Sequence, residues 1–403
     1  MRFVRYSLLA LLCVCAYVSS SATGFARTPD DLARQTFPLS IIDNRPFVSV
    51  QVDAQGPFSF ILDTGSSSST ISTALAEKLK LVPTSAGTGT GTGEQQLSFD
   101  NVHLNDVAVG SFSIGAVDVP AMDTVKLARV IGFQHFDGVL GTELFQKYVL
   151  TLDAARRQIT IQDRNHFKPA ANAIAMPFSL DENAMPVVEA SVDGISASFQ
   201  IDTGDRFSLT LFGAFWRAHH LDTQMGKTVE AMTGYGGGGP IRGIVGRPAR
   251  FSMGDLPVPA PVTRLSLQKA GAFTRGDRAG SIGMGILKRF TVSFDYGRHV
   301  MWLSKNAGFD APDRYDRSGM WLGLSEQQGL RVVDVTANGP AAKAGIQVGD
   351  IVTKVGALPA DAQSLFTIRE MLEAPRVASV PVVVSRASGV QSTQMVLQDL
   401  ISQ

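Results

Sequence analysis

Cysteine is nearly missing from this chain: 403 residues include two, Cys13 and Cys15, both close to the N-terminus. They fall inside MRFVRYSLLALLCVCAYVSSSATGFA. There Arg2 and Arg5 precede an apolar run over residues 6–18, and small residues lead to Ala22 and Ala26, the pattern of a secretory leader over 1–26. The run is shorter than the about 20 residues needed to span a bilayer, so membrane contact is expected only transiently, through the leader. Neither cysteine has the small residues before it that a lipoprotein signal needs. Removal of the leader leaves no thiols, which excludes disulfides and Cys-bound metals. Export without disulfides points to a bacterial periplasm or cell envelope, or to secretion. Residues 27–37 are too few for a typical propeptide, so no built-in zymogen is expected.

Net charge is missing too. Lys plus Arg and Asp plus Glu both number 36, and no basic cluster stands out, so nucleic acid is not an expected partner. Several catalytic signatures fail. Gly226, Lys227 and Thr228 resemble the end of a phosphate loop, but Leu221 stands where its first glycine belongs. No GxSxG or GDSGG sequence occurs. His219 and His220 are adjacent on an expected helix and diverge, so they do not suggest a shared metal. No cofactor or metal is expected. With 44% hydrophobic residues the chain is long enough for two or three domains with real cores.

What is present is a repeat. FSFILDTGSSSST (58–70) places an acid at the end of an apolar strand, and ASFQIDTGDRFSL (197–209) does so again. A lone Asp leaving a strand is ordinarily a turn residue that accepts backbone N–H bonds. Asp63, Thr64 and Gly65 recur as Asp202, Thr203 and Gly204, at a spacing of 202 − 63 = 139. At residue frequencies of about 5 to 7%, a given tripeptide is expected roughly 0.1 times in such a chain. The flanks repeat as well. PFVSVQVD (46–53) parallels PVVEASVD (186–193), and DGVLGTELFQKYVLTLDAARRQITI (137–161) parallels AGSIGMGILKRFTVSFDYGRHVMWL (279–303). Asp153 and Asp295 lie 295 − 153 = 142 apart, so the chain contains a duplication. Alternating Val, Ile, Phe and Leu cut by Gly and Pro make each unit mostly β, with one helix after each acid, over 72–81 and around 211–221.

These residues resemble the aspartic proteases of pepsin and retropepsin type. The resemblance covers about 130 residues per unit: the strand with its DTG, the later DGVLG (137–141) and a poorer SIG (281–283). Each half is smaller than a pepsin lobe and looks like a retropepsin-sized unit, two being fused as in bacterial aspartyl-protease-like proteins. The resemblance implies a mostly β, two-lobed fold, with lobes at 37–165 and 172–305 and catalytic residues Asp63 and Asp202. Two close carboxylates cannot both ionise cheaply and share one proton; the splitting is known for this family. Thr64 and Thr203 are implied to bridge the lobes, and Gly65 and Gly204 to let backbone pass close to the acids. Ser66 is placed to donate to Asp63, making it the more readily ionised partner; the rest of the serine run reads as a hydroxyl shell of the turn. Asp205 departs from the pattern, which has a hydroxyl there; Arg206 is its candidate counter-ion. The Gly-rich tracts 86–94, with Gly89 and Gly91, and 233–240, with Tyr235 and Gly236, read as flaps or as plain surface hairpins. Tyr235 is their one aromatic and a candidate to pack on bound peptide.

Beyond a polar linker at 304–319 the texture changes, and residues 316–401 resemble a PDZ domain of the bacterial protease-associated kind. WLGL, which is Trp321, Leu322, Gly323 and Leu324, takes the place of that family's carboxylate-binding loop. GPAAKAGI and VGDIV match its short helix and next strand, and a helix over 361–372 would wall the groove. The chain thus reads as an exported aspartic endopeptidase acting on peptide or protein substrates, with a PDZ module for C-terminal peptide ligands. Three alternatives stay open: a non-catalytic peptide-binding adaptor, DTG units paired between molecules, and a PDZ that only packs on the lobes or joins two chains.

Overall fold

The computed structural model describes residues 33–402, so the leader and its cleavage region lie outside the described residues. The first acid-bearing strand, Gln55–Leu62, points Phe58, Phe60 and Leu62 into one core while Ile61 is buried on the opposite face. A strand apolar on both faces is held from both sides, and its end is therefore a rigid mount for the acid that follows. The strand runs parallel to Gly138–Leu140, with Phe60 opposite Gly138, and Thr70–Ser72 lies antiparallel on the far side. The second unit repeats this. Ile195–Asp202 runs parallel to Gly280–Gly283, with Phe199 opposite Gly280, and Leu209–Leu211 lies antiparallel. The registers differ by 199 − 60 = 139 and 280 − 138 = 142, the spacings of the sequence repeat.

The first unit's eight-stranded sheet runs from Ser40–Ile42 to Pro83–Gly89, and Arg45–Val52 also pairs with Leu97–Val109 to curl it on itself. The second unit builds a ten-stranded sheet. A six-stranded sheet joins the two: Arg34–Pro38, Gln158–Gln162 and Val149–Asp153 from the first, then Phe290–Asp295, Val300–Lys305 and Ile174–Pro177 from the second. At its centre Thr151 pairs with Ser293, and their hydroxyls are 2.7 Å apart. Since 293 − 151 = 142, each residue faces its own duplicate, which places a local twofold axis between them. The first unit's strand Arg34–Pro38 spans the expected boundary at 37.

Ser72 caps the helix Thr73–Lys78, its hydroxyl accepting from Leu75 N–H at 3.1 Å, and Gly213–Ala218 follows the second acid; both are shorter than the sequence patterns. A further helix, Val125–Ile131, was not read from the sequence. The C-terminal module has its own core, with Leu322, Leu330, Val332, Val352, Ile368 and Val382. Its sheet starts with the edge strand Met320–Leu324. Pro340–Lys343 is the short helix and Leu365–Glu373 the groove helix. Among the described residues no helix is long and apolar enough to cross a membrane.

Candidate active site and its surroundings

Asp63 and Asp202 meet at the boundary between the two units. A β-carbon at position 65 would lie 2.6 Å from Asp202 Cγ, and one at position 204 would lie 2.3 Å from Asp63 Oδ2. Only glycine fits at either place, because any side chain would enter the opposite carboxyl. Asp63 Oδ1 accepts from Gly65 N–H at 2.7 Å and, across the boundary, from Gly204 N–H at 3.2 Å. Asp202 Oδ1 accepts from Asp205 N–H at 2.8 Å.

The mount beneath the acids is symmetric. Thr64 Oγ1 donates to Ile201 O at 2.9 Å and accepts from Thr203 N–H at 3.1 Å. Thr203 Oγ1 donates to Leu62 O at 2.8 Å and accepts from Thr64 N–H at 2.9 Å. Both threonines are fully buried. Four hydrogen bonds in a dry environment tie the two loops together, each hydroxyl using a donor and an acceptor of the other unit.

Burial raises both acids. Asp202 is driven well above the usual carboxylate range by desolvation, then by the charges of Asp63 and Asp205. Desolvation also raises Asp63, but the Gly65 and Gly204 amides and a hydrogen bond from Asp202 counter the rise. Burial and mutual charge thus push Asp202 up further than Asp63, which keeps more amide donors. Ser66 has no part in this. Its hydroxyl donates to Ser68 O at 2.8 Å, so backbone amides replace the expected side-chain donor.

Residues 66–69 are instead clamped to the later turn. Glu143 accepts from Ser69 N–H at 2.7 Å and from its hydroxyl at 2.9 Å, while Gly141 N–H donates to Ser69 Oγ at 3.0 Å. A β-carbon at Gly141 would sit 2.6 Å from Ser68 C, and one at Gly283 would sit 2.2 Å from Phe207 O. The imperfect SIG thus keeps the residue that matters, its glycine.

Asp205 is neutralised, but not by Arg206. Arg264 Nη2 lies 2.6 Å from Asp205 Oδ2, and the pair is almost wholly buried. Arg206 turns away to Asp43, at 2.9 Å. Arg264 is 59 residues downstream of Asp205, on the strand Thr263–Ser266, and no local pattern marks it.

Residues 48–144 match the aspartyl protease family model, a span containing Asp63 and its clamp, and residues 331–386 match the PDZ domain model. The first lobe thus matches the aspartyl protease model, the second is its structural duplicate, and a PDZ domain follows. Among curated proteins it is similar to the serine endoprotease DegS of Salmonella typhimurium, 39% identical over 77 residues, which is 19% of this chain and 21% of that protein. The chain thus spans about a fifth of the length of that relative. Among solved structures it is similar to the aspartic proteinase of Irpex lacteus, at 14% identity and a TM-score of 0.44, over 69% of this chain and 99% of that one.

In the two lobes the glycine tracts interlock across the boundary. Gly93 N–H donates to Gly237 O at 2.8 Å, Gln95 N–H to Gly238 O at 2.9 Å, and Ala272 N–H to Gly91 O at 2.9 Å. A β-carbon at Gly91 would lie 2.3 Å from Gly237 O. Gly89 ends the strand Pro83–Gly89, and Gly236 ends Val229–Gly236 against Thr92. Tyr235 does not stand free for a peptide. It packs on the first lobe's cluster of Phe47, Ile61, Ile131 and Phe133, with Lys126 over its ring.

The PDZ edge is also engaged. Trp321 Nε1 donates to Val130 O at 2.8 Å, and a β-carbon at Gly323 would lie 3.0 Å from Arg129 O. Arg369, on the groove helix, donates to Leu322 O at 2.7 Å and Ile131 O at 3.0 Å. Leu324 ends the edge strand, partly buried against the PDZ core. The end of the helix Val125–Ile131 therefore lies against the edge strand that a peptide would extend. Beside it a cavity of about 620 Å³ lies between both lobes and the PDZ domain, lined by Asn44, Arg206, Lys288, Trp321, Arg369 and Glu373 among others. Asp43 ties the three parts together, with Arg45 at 2.7 Å, Arg206 at 2.9 Å and Arg369 at 3.3 Å. Burial raises the Asp43 carboxyl, but Arg206, Arg369 and Arg45 bring it down to about 2.

Proposed function

We propose that this chain is an aspartic endopeptidase that hydrolyses peptide bonds with a water held between Asp63 and Asp202. The observation that carries the reading is the closeness of two acids from duplicated loops of one polypeptide, each loop having glycine where any side chain would enter the other loop's carboxyl. Ionised Asp63 takes a proton from the water as its oxygen bonds to the peptide carbonyl carbon. Protonated Asp202 hydrogen-bonds the carbonyl oxygen as charge develops on it. Collapse of the tetrahedral species breaks the carbon–nitrogen bond, and the proton taken by Asp63 leaves on the amine. Peptide entry requires the glycine tips to part, which makes them flaps in this reading.

The PDZ domain takes a peptide C-terminus along Trp321, Leu322, Gly323 and Leu324, once the contact with residues 129–132 opens. The ligand is a substrate or a regulatory peptide. Export by a leader over 1–26 to a periplasm, cell envelope or extracellular space completes the proposal.

Cleavage of a denatured protein and of a quenched peptide library, by the parent, Asp63→Asn and Asp202→Asn, tests the activity. The parent is expected to cut, and either variant to lose at least about 10²-fold. A folded parent that binds peptides without cutting them would make this an adaptor. Activity regained on mixing the two variants would show instead that the loops pair between molecules.

A further inference from the structure

We propose that Arg264 is a positioning residue of the dyad: with Asp205 it forms a buried ion pair that fixes the local charge, and hence the pH range over which Asp63 and Asp202 share one proton. This rests on the peptidase reading and adds to it a residue that no local motif marks.

The second loop places a carboxylate one residue beyond Gly204, and its backbone N–H holds Asp202 Oδ1 at 2.8 Å. Left alone, Asp205 would add a third negative charge to a site that works with one. The protein sets it in a fixed socket. Asp205 Oδ1 accepts from Phe207 N–H at 3.0 Å, and Oδ2 accepts from Thr210 Oγ1 at 3.0 Å and from Arg264 Nη2 at 2.6 Å. Arg264 Nη2 also donates to Thr210 Oγ1 at 2.6 Å. The Arg264 side chain is 1% exposed, and its guanidinium lies 4.7 Å from the ring centroids of both Phe207 and Phe273. A β-carbon at Gly243 would lie 2.6 Å from Arg264 Cγ, so the neighbouring strand leaves room for this stem.

A surface ion pair would need none of this enclosure. Here the cation cannot leave, cannot be screened by solvent, and sits within one residue's reach of Asp202. The charges facing the pair are Asp202 and Asp63 of the dyad, and Arg206 and Arg45, whose shared carboxylate is Asp43. Counting Asp205 as −1, Arg264 as +1 and the singly ionised dyad as −1, the site keeps the net −1 of a dyad without a third acid.

The test is a charge cycle, read as the pH dependence of peptide cleavage and, independently of turnover, as titration of ¹³C-labelled aspartate carboxyls by NMR. Arg264→Gln leaves Asp205 unopposed and is expected to move both limbs of the profile to higher pH by about one unit. Asp205→Asn leaves the cation unopposed and moves both limbs to lower pH. The double variant removes both charges and returns the limbs to within a few tenths of a unit of the parent. Arg264→Lys keeps the charge and stays nearer the parent than Arg264→Gln.

A purely structural pair would lower activity or stability in both single variants without shifts of opposite sign. Unchanged limbs, or shifts of the same sign, would overturn the proposal. If Arg264→Gln does not fold, Asp205→Asn against the double variant decides the same question. If the parent cuts no peptide, the carboxyl titration alone still shows or denies the opposed shifts, so the two readings fail separately.

Discussion

Thr64 and Thr203 are each fully buried, and each directs its hydroxyl to the backbone of the opposite lobe. Thr203→Val keeps the shape but leaves Leu62 O without its donor and Thr64 N–H without its acceptor. Each orphaned buried group costs about 1–3 kcal/mol, so a fall in stability of roughly 2–6 kcal/mol is expected from the urea midpoint at constant slope. Lost turnover should accompany it, because the mount of the acids loosens. These threonines were legible in the sequence, since a repeated tripeptide is a local signal. The charge logic around them was not. Ser66 neighbours Asp63 in sequence but faces Ser68 O, whereas Arg264 lies 59 residues from Asp205 and touches it. Adjacency in the chain says little about which side chain reaches a carboxylate once the strand fixes its direction.

The glycine tracts show the same limit among elements. Their composition marks turns, but not that the tips of two lobes hydrogen-bond to one another at Gly93 and Gly237. Gly93→Ala brings a β-carbon to 2.1 Å from Gly238 C, a contact with backbone that cannot yield. The tips should separate. Hydrogen exchange at the amides of Gly93, Gln95 and Ala272 is expected to rise at least tenfold, while exchange in the six-stranded sheet stays as in the parent. Equal protection in both proteins would show that the tips are held by something other than this contact. The helix Val125–Ile131 follows neither acid motif and so has no local signal, yet it seats Tyr235 on one lobe and the PDZ edge strand on the other side. The strand pattern and the PDZ motifs marked both fold classes, without a count of their strands. How the modules press together depended on carbonyls at the end of one helix.

Over the whole molecule, Asp43 carries the contact between both lobes and the PDZ domain, through Arg45, Arg206 and Arg369. Asp43→Asn leaves three largely buried guanidinium groups without their common anion. A loss of about 3–5 kcal/mol is expected, and calorimetry should show the PDZ domain melting apart from the lobes. Glu373, lining the cavity at the same junction, behaves oppositely. Burial, opposed by Arg206 and reinforced by Asp316 and Asp43, pushes its carboxyl up to about 7. A carboxyl raised in the folded state binds its proton more tightly there than in the unfolded chain. Its favourable contribution is whole below about pH 4.5 and is lost as pH rises through about 7. Glu373→Gln should therefore flatten the fall in stability across that window and be more stable than the parent at pH 8, by at most about 3.5 kcal/mol given about 1.4 kcal/mol per pKa unit.

The local twofold axis passes between Thr64 and Thr203 and again between Thr151 and Ser293, so the acids stand over a seam fixed at two levels. Neutron diffraction from a deuterated crystal grown near pH 5 would place the hydrogens at that seam directly. The account predicts one deuteron for the two carboxyls, bound to Asp202 and directed at Asp63. Two deuterons, none, or carboxyls turned apart would contradict it.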